Sequence, residues 1–203
     1  MIGIMADSHG KPETILAALA VLKDLNCRTI YHLGDVCDSI RPETAAACLR
    51  PLRAHHVIMI KGNNDHVIVA NYLGRADAPV SPQVLKCLQN MPLVETCHDA
   101  VLTHSLPFAD QLGLSCMIGT MTEKAAQRCF REYPRHVIFR GHSHRPEILR
   151  PRGRRIESGS PAVGEKINLA GKLPCVVTCG ALTRGWCMVW DPAAKYIEIL
   201  SFK

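Results

Sequence analysis

The feature that most constrains this chain is a spacing. Asp7, Asp35 and Asn63 stand 28 residues apart, and each follows a short apolar run: MIGIMA before Asp7, RTIYHL before Gly34-Asp35, and HHVIMI shortly before Gly62-Asn63. Apolar runs of this length read as buried strands. The segments between them, KPETILAALAVLKDL and RPETAAACLRPLR, read as helices. Pro12 pre-sets the first turn, Glu13 suits the positive end of the helix dipole, and Ile15, Leu16, Leu19 and Leu22 recur at helical spacing; Pro42-Glu43-Thr44 repeats that opening. Two successive βα units are therefore expected. In a parallel sheet with right-handed crossovers, the C-terminal strand ends share one edge, where open α/β sheets take their ligands. Asp7, Asp35 and Asn63 should converge there as three oxygen donors.

In the second half, PQVLKCLQNM and TEKAAQRCFREY read as helices and VETCHDAVLTHS as a hairpin ending in His104. HVIFRGHSHRP reads as a strand running into His142 and His144. A loop rich in Pro, Gly and Arg is expected over 150–164, holding Arg150, Arg152, Arg154 and Arg155, which could contribute to the rim of a site. VVTCGALTRGWCMVWD and KYIEILSF read as closing strands with turns at Gly180 and at Asp191-Pro192. Nothing resembles a linker, so residues 1–203 are expected to form a single domain, with pocket walls from loops over 65–82, 105–120 and 150–172.

A chain of 203 residues can bury ~70% of its unfolded surface without staples. Its ten Cys fall below the ~8–10% that marks a disulfide scaffold, and no CxxC pair occurs. Reduced thiols and a cytoplasmic location are expected. No run approaches the ~18 apolar residues of a membrane helix, and no leader pattern opens the chain, so no membrane partner is expected. The net charge of +6 favours anionic partners only weakly, because the basic residues are dispersed apart from the arginine cluster.

The polar residues at predicted strand ends are Asp7, His9, Asp35, Asn63, His104, His142 and His144. Imidazoles mixed with carboxylate and amide oxygens suit divalent first-row metals. Seven protein ligands are too many for one ion other than calcium, which does not use His. Two ions sharing a carboxylate is the economical reading. In DSH and HSH, alternate residues of an extended segment can reach one side past a small Ser.

DSHG, GDVCD, GNND, THS and GHSH, in this order, resemble the five motifs of the calcineurin-like metallophosphoesterases, most closely their small YfcE-like phosphodiesterase branch. The resemblance spans essentially the whole chain. It implies an α/β fold, a four-layer α-β-β-α sandwich of two mixed sheets. It also implies that Asp7, His9 and His144 bind one divalent ion, that Asn63, His104 and His142 bind a second, and that Asp35 bridges both. Mn²⁺ is favoured, while Fe, Ni²⁺ and Zn²⁺ fit the same donors. The implied reaction is hydrolysis of a small, nucleotide-type phosphodiester by attack of a metal-bridging hydroxide. Catalytic weight falls on Asp35, Asn63 and position 64, where many members carry a general-acid His and this chain has Asn64. An amide cannot donate that proton, so good leaving groups are expected to be preferred. Ser105 stands where relatives often have Gly, and Cys179 and Ala181 flank Gly180 where relatives read NPGS. Asp38 and Asp65 are expected as hydrogen-bond partners rather than ligands. The alternative is a non-catalytic metal-binding scaffold resembling the retromer subunit of the same fold. Nucleic acid is disfavoured as a partner, because 203 residues leave little room for capping domains; a homo-oligomer stays open.

Overall fold

The computed structural model describes residues 1–153 and 155–202; Arg154 of the arginine cluster and Lys203 lie outside it. The first half alternates β1 (Ile2–Met5), α1 (Pro12–Asp24), β2 (Thr29–His32), a 3-10 turn (Pro42–Thr44) leading into α2 (Ala45–Ala54), β3 (Ile58–Met59), α3 (Asn63–Tyr72) and α4 (Pro82–Gln89). There follow β4 (Val94–Cys97), β5 (Ala100–Thr103), α5 (Ala109–Leu112), a 3-10 turn (Gly113–Met117), α6 (Glu123–Glu132), β6 (Val137–Arg140), β7 (Glu147–Arg152), β8 (Arg155–Gly159) and β9 (Lys166–Asn168). The chain closes with β10 (Cys175–Thr178), a 3-10 turn (Leu182–Arg184), β11 (Trp186–Asp191) and β12 (Tyr196–Ser201).

Two six-stranded sheets result, ordered β3-β2-β1-β11-β12-β9 and β4-β5-β6-β10-β7-β8. Strands β1, β2 and β3 are parallel while β11 opposes β1; β5, β6 and β10 are parallel while β4 and β7 run against them. Both sheets are thus mixed, and period-two alternation divides their side chains among three apolar layers. Ile2, Ile4, Val137, Phe139, Val177, Met188 and Trp190 fill the space between the sheets. Met5, Ile30 and Val189 face Ile15, Leu19 and Leu22 of α1, Leu49 and Leu52 of α2, and Leu85 and Leu88 of α4. Val101, Ile138 and Val176 face Ala126 and Cys129 of α6. This is a four-layer α-β-β-α sandwich.

The structure corrects several local expectations. The third strand covers only Ile58–Met59, and Asn63 opens a helix rather than a loop, so 65–82 begins as α3 and ends in the first turn of α4. The span 105–120 holds α5 and a 3-10 turn, and 150–164 is largely a β7–β8 hairpin. Because β7 opposes β10, it leads away from the edge where β10 ends; Arg152 and Arg155, paired at its far end, are not on the rim of the site. The turn at Gly180 carries the chain from one sheet to the other, since β10 and β11 lie in different sheets. All ten Cys are free, and no described helix is long and apolar enough to cross a membrane.

Candidate metal centre

Past the strand ends, the ladders continue into the loops. The Asp7 and His9 amides donate to the carbonyls of Gly34 and Asp35, at 3.0 Å each, and the Gly141 amide donates to the His104 carbonyl at 3.0 Å. Leu182 N–H donates to Ala6 O at 2.8 Å, so the 3-10 turn after the crossover seats on the end of β1. Two glycines permit this closeness. Gly62 has an ordinary φ of −96°, but a Cβ there would run into the backbone nitrogen and a carboxylate oxygen of Asp35. A Cβ on Gly141 would lie 2.7 Å from that of Ala6 and 2.8 Å from Asp7 Oδ2.

The seven strand-end residues are brought together. His9 Nε2 lies 3.0 Å from His144 Nε2, and these atoms lie 3.9 Å and 3.6 Å from Asp7 Oδ1. His104 Nε2 lies 3.1 Å from Asn63 Oδ1, 3.2 Å from His142 Nδ1 and 3.6 Å from Asp35 Oδ1, while Asp35 Oδ2 is 3.9 Å from His9 Nε2. Asp35 therefore stands between the two imidazole pairs. Asp7, His9 and His144 offer donor atoms all within 4.8 Å of one another, as do Asp7, Asp35 and His104. Asp7, Asp35 and His104 are buried, whereas the His9 and His144 side chains are 23% and 34% exposed, so the cluster opens to solvent on that side.

The protonation pattern suits a cation. His104 Nδ1 is 2.7 Å from the Leu33 carbonyl and must carry the proton to donate to it, which leaves Nε2 as a lone pair facing other acceptors. Burial pushes the His104 and His144 pKa values down and that of His142 to about 4, so these imidazoles are neutral and ready to ligate at neutral pH. Burial, and then the neighbouring Asp35, push Asp7 well above the usual carboxylate range. Imidazole nitrogens and carboxylate and amide oxygens gathered at 3.0–3.9 Å from one another are the donor types that divalent first-row ions take, so the residues present fit such ions.

Backbone strain concentrates here as well. Asp7, His9, Asp35, His142 and His144 all have φ between 44° and 67°, a left-handed conformation costly for residues with a Cβ and typical of functional sites. No sequence signal announces it, because none of the five is Gly.

Asn64 is engaged elsewhere. Its backbone N–H and Nδ2 donate to Asp35 Oδ1 and Oδ2 at 2.8 and 2.7 Å, and its Oδ1 accepts from Ser39 Oγ at 2.7 Å. It clamps Asp35. Asp65 accepts backbone N–H bonds from Cys37, Gly62 and Val36; burial, and then Asp35, raise its pKa to about 7. Asp38 accepts from Ile40 N–H and Arg41 Nε.

Behind Ser8 lies His32, wholly buried, with Nε2 3.1 Å from Ser8 Oγ. Burial first, then His104, depress its pKa from 6.5 to about 3. The folded protein thus refuses a proton that the unfolded chain accepts below pH 6.5, so neutral burial of His32 contributes fully above that pH and is lost as pH falls towards 3. His32→Gln is expected to flatten the stability–pH curve between pH 4 and 6 by up to about one proton, ~1.4 kcal/mol per pH unit. Urea midpoints of both proteins across that range check this, and parallel curves would refute it.

A four-layer sandwich carrying this donor set at one edge is the architecture of a metallophosphoesterase. The chain belongs to the calcineurin-like phosphoesterase superfamily, whose domain model matches residues 1–166. A metallophosphoesterase from Sphaerobacter thermophilus superposes with a TM-score of 0.75 at 20% identity, covering 100% of this chain and 87% of that one. An archaeal phosphodiesterase gives 0.52 at 15% identity, covering 98% of each chain. A third structure, the protein TT1561 of Thermus thermophilus, gives 0.57 at 13% identity, covering 100% of this chain and 98% of that one. No curated protein matches the chain.

Proposed function

We propose that this protein is a divalent-metal-dependent phosphodiesterase acting on a small, nucleotide-type diester. The observation that carries the reading is the convergence of metal-ligating atoms from Asp7, His9, Asp35, Asn63, His104, His142 and His144 on one sheet edge, a donor set suited to divalent cations. Asp7, His9 and His144 would hold one ion and Asn63, His104 and His142 another, with Asp35 between them. When bound, two such ions supply Lewis acidity towards phosphoryl oxygens and lower the pKa of a water. The chain's own part is positioning. Leu33 O fixes the His104 tautomer, Asn64 fixes both oxygens of Asp35, and the His142 N–H donates to Asp7 Oδ2 at 3.0 Å. The partly exposed His9 and His144 leave the approach for a phosphate on their side.

Metal-stripped protein reconstituted in turn with Mn²⁺, Fe²⁺, Ni²⁺ and Zn²⁺ and assayed on bis-p-nitrophenyl phosphate tests the reading. Expected are up to two ions per chain and hydrolysis that disappears with chelator, with Mn²⁺ the best activator. A protein that cleaves no diester in any of these metal forms would instead be a scaffold, and one that takes up no divalent ion would lack the proposed centre.

A further inference from the structure

One buried charge has no part in the chemistry above. Arg140 ends β6 and is only 2% exposed. Strand alternation sets its direction: Val137 and Phe139 face the other sheet, so Arg140 shares the helix-facing side with Ile138. A cation buried there is costly unless its donors are matched. Its hydrogen-bond partners are three hydroxyls and a carbonyl, not carboxylates. Nε donates to Ser105 O at 3.0 Å and Nη2 to Ser105 Oγ at 3.2 Å. Nη1 donates to Ser143 Oγ at 3.1 Å and to Thr178 Oγ1 at 3.2 Å.

The placement of those acceptors is informative. Ser105 directly follows His104, and Ser143 lies between His142 and His144. Thr178 ends β10, in register with Arg140, where the chain turns towards Gly180 and the first sheet. Ser105 Oγ in turn donates to the Gly119 carbonyl, which extends the network to the segment after the 113–117 turn. A single rigid fork therefore touches the neighbours of three of the four candidate imidazoles, and a planar guanidinium can hold several acceptors at fixed angles where an ammonium cannot. Ser105 acquires a reason here: it supplies two of the four acceptors.

We infer that Arg140 is a positioning residue of the metal centre, a permanent cation behind it that sets the His104 turn in register with the His142–His144 turn. The inference rests on the metal-centre reading, and Arg140 touches neither metal nor substrate. Outer partners of metal ligands typically matter about 10–100-fold in affinity or activity. Metal-stripped wild type, Arg140→Gln and Arg140→Lys are titrated with Co²⁺ and followed by visible absorption, with circular dichroism checking the fold and kcat and KM measured on bis-p-nitrophenyl phosphate. Arg140→Gln is expected to bind Co²⁺ about 10–100-fold more weakly, with an altered visible band and a fall in kcat exceeding any rise in KM. Arg140→Lys should recover part of the affinity and part of the band. Should Arg140→Gln fail to fold, Ser105→Gly and Ser143→Ala each remove one side-chain acceptor from an intact guanidinium and are expected to weaken Co²⁺ binding about fivefold. Folded variants that match the wild type in Co²⁺ affinity and spectrum would make Arg140 a fold residue only and overturn the inference while the metal reading stands. Wild-type protein that takes up no Co²⁺ would remove both.

Discussion

Asp35→Asn is expected to lower kcat/KM for bis-p-nitrophenyl phosphate by ~10³-fold or more, the equivalent of several kcal/mol of transition-state stabilisation, while the chain stays folded. The change is isosteric, so the loss comes from charge rather than volume. Among the described residues, Asp35 is the one carboxylate whose two oxygens face different imidazoles, Oδ1 towards His104 at 3.6 Å and Oδ2 towards His9 at 3.9 Å. Both oxygens already accept from Asn64. An amide at position 35 would set its NH₂ against one of the two N–H donors of Asn64, at a cost of ~1–3 kcal/mol for an unmatched buried group. Metal counting separates the causes: Asp35→Asn should retain at most one tightly bound ion per chain. His104→Ala is the companion test from the opposite sheet, and it should likewise lose an ion and most of the activity. Wild-type rates in both variants would refute the site.

The parts of this molecule legible in the sequence are those where one residue pattern permits one structure. The β1–α1–β2–α2 half is such a region, because Pro12 and Pro42 open helices and the apolar runs before Asp7 and Asp35 are too short for anything but strands. The convergence of Asp7, Asp35 and Asn63 follows from the parallel pairing of β1, β2 and β3. Illegible were the features decided by partners far away in the chain. Both β10 and β11 are buried along most of their lengths, so nothing in their composition says that one joins the second sheet and the other the first. The β7–β8 hairpin was hidden for the opposite reason: its outer end is exposed, charged and interrupted by Pro151, which reads as loop. Arg140 left a usable clue. In Val-Ile-Phe-Arg the alternation puts the fourth residue on the Ile138 face, and a cation buried there requires a matched network. The role of Asn64 left none, since an amide at the end of GNN could face solvent, substrate or Asp35, and only the fold brings Asp35 within 2.7 Å of it.

That role of Asn64 determines which substrates should react well. Its amide donates to Asp35 and its carbonyl accepts from Ser39, and an amide N–H is in any case too weak an acid to protonate a departing alkoxide. Positioned acids typically contribute ~10²–10⁴ in rate, and the contribution matters most when the leaving group is poor. Bis-p-nitrophenyl phosphate is therefore expected to be cleaved at least ~10²–10⁴-fold faster than simple alkyl monoesters, with phosphoanhydrides, whose leaving groups are also good, on the favoured side. A clear preference for alkyl monoesters would sink this. Asn64→Ala makes the argument sharper. If Asn64 works only by holding Asp35, its removal should slow good and poor leaving groups by the same factor, about 10–100-fold, because the loss sits in the metal centre common to both. If it assisted the leaving group, the loss would grow as the leaving group became more basic. The slope of log rate against leaving-group pKa, compared between wild type and Asn64→Ala, distinguishes the two, and parallel lines are expected.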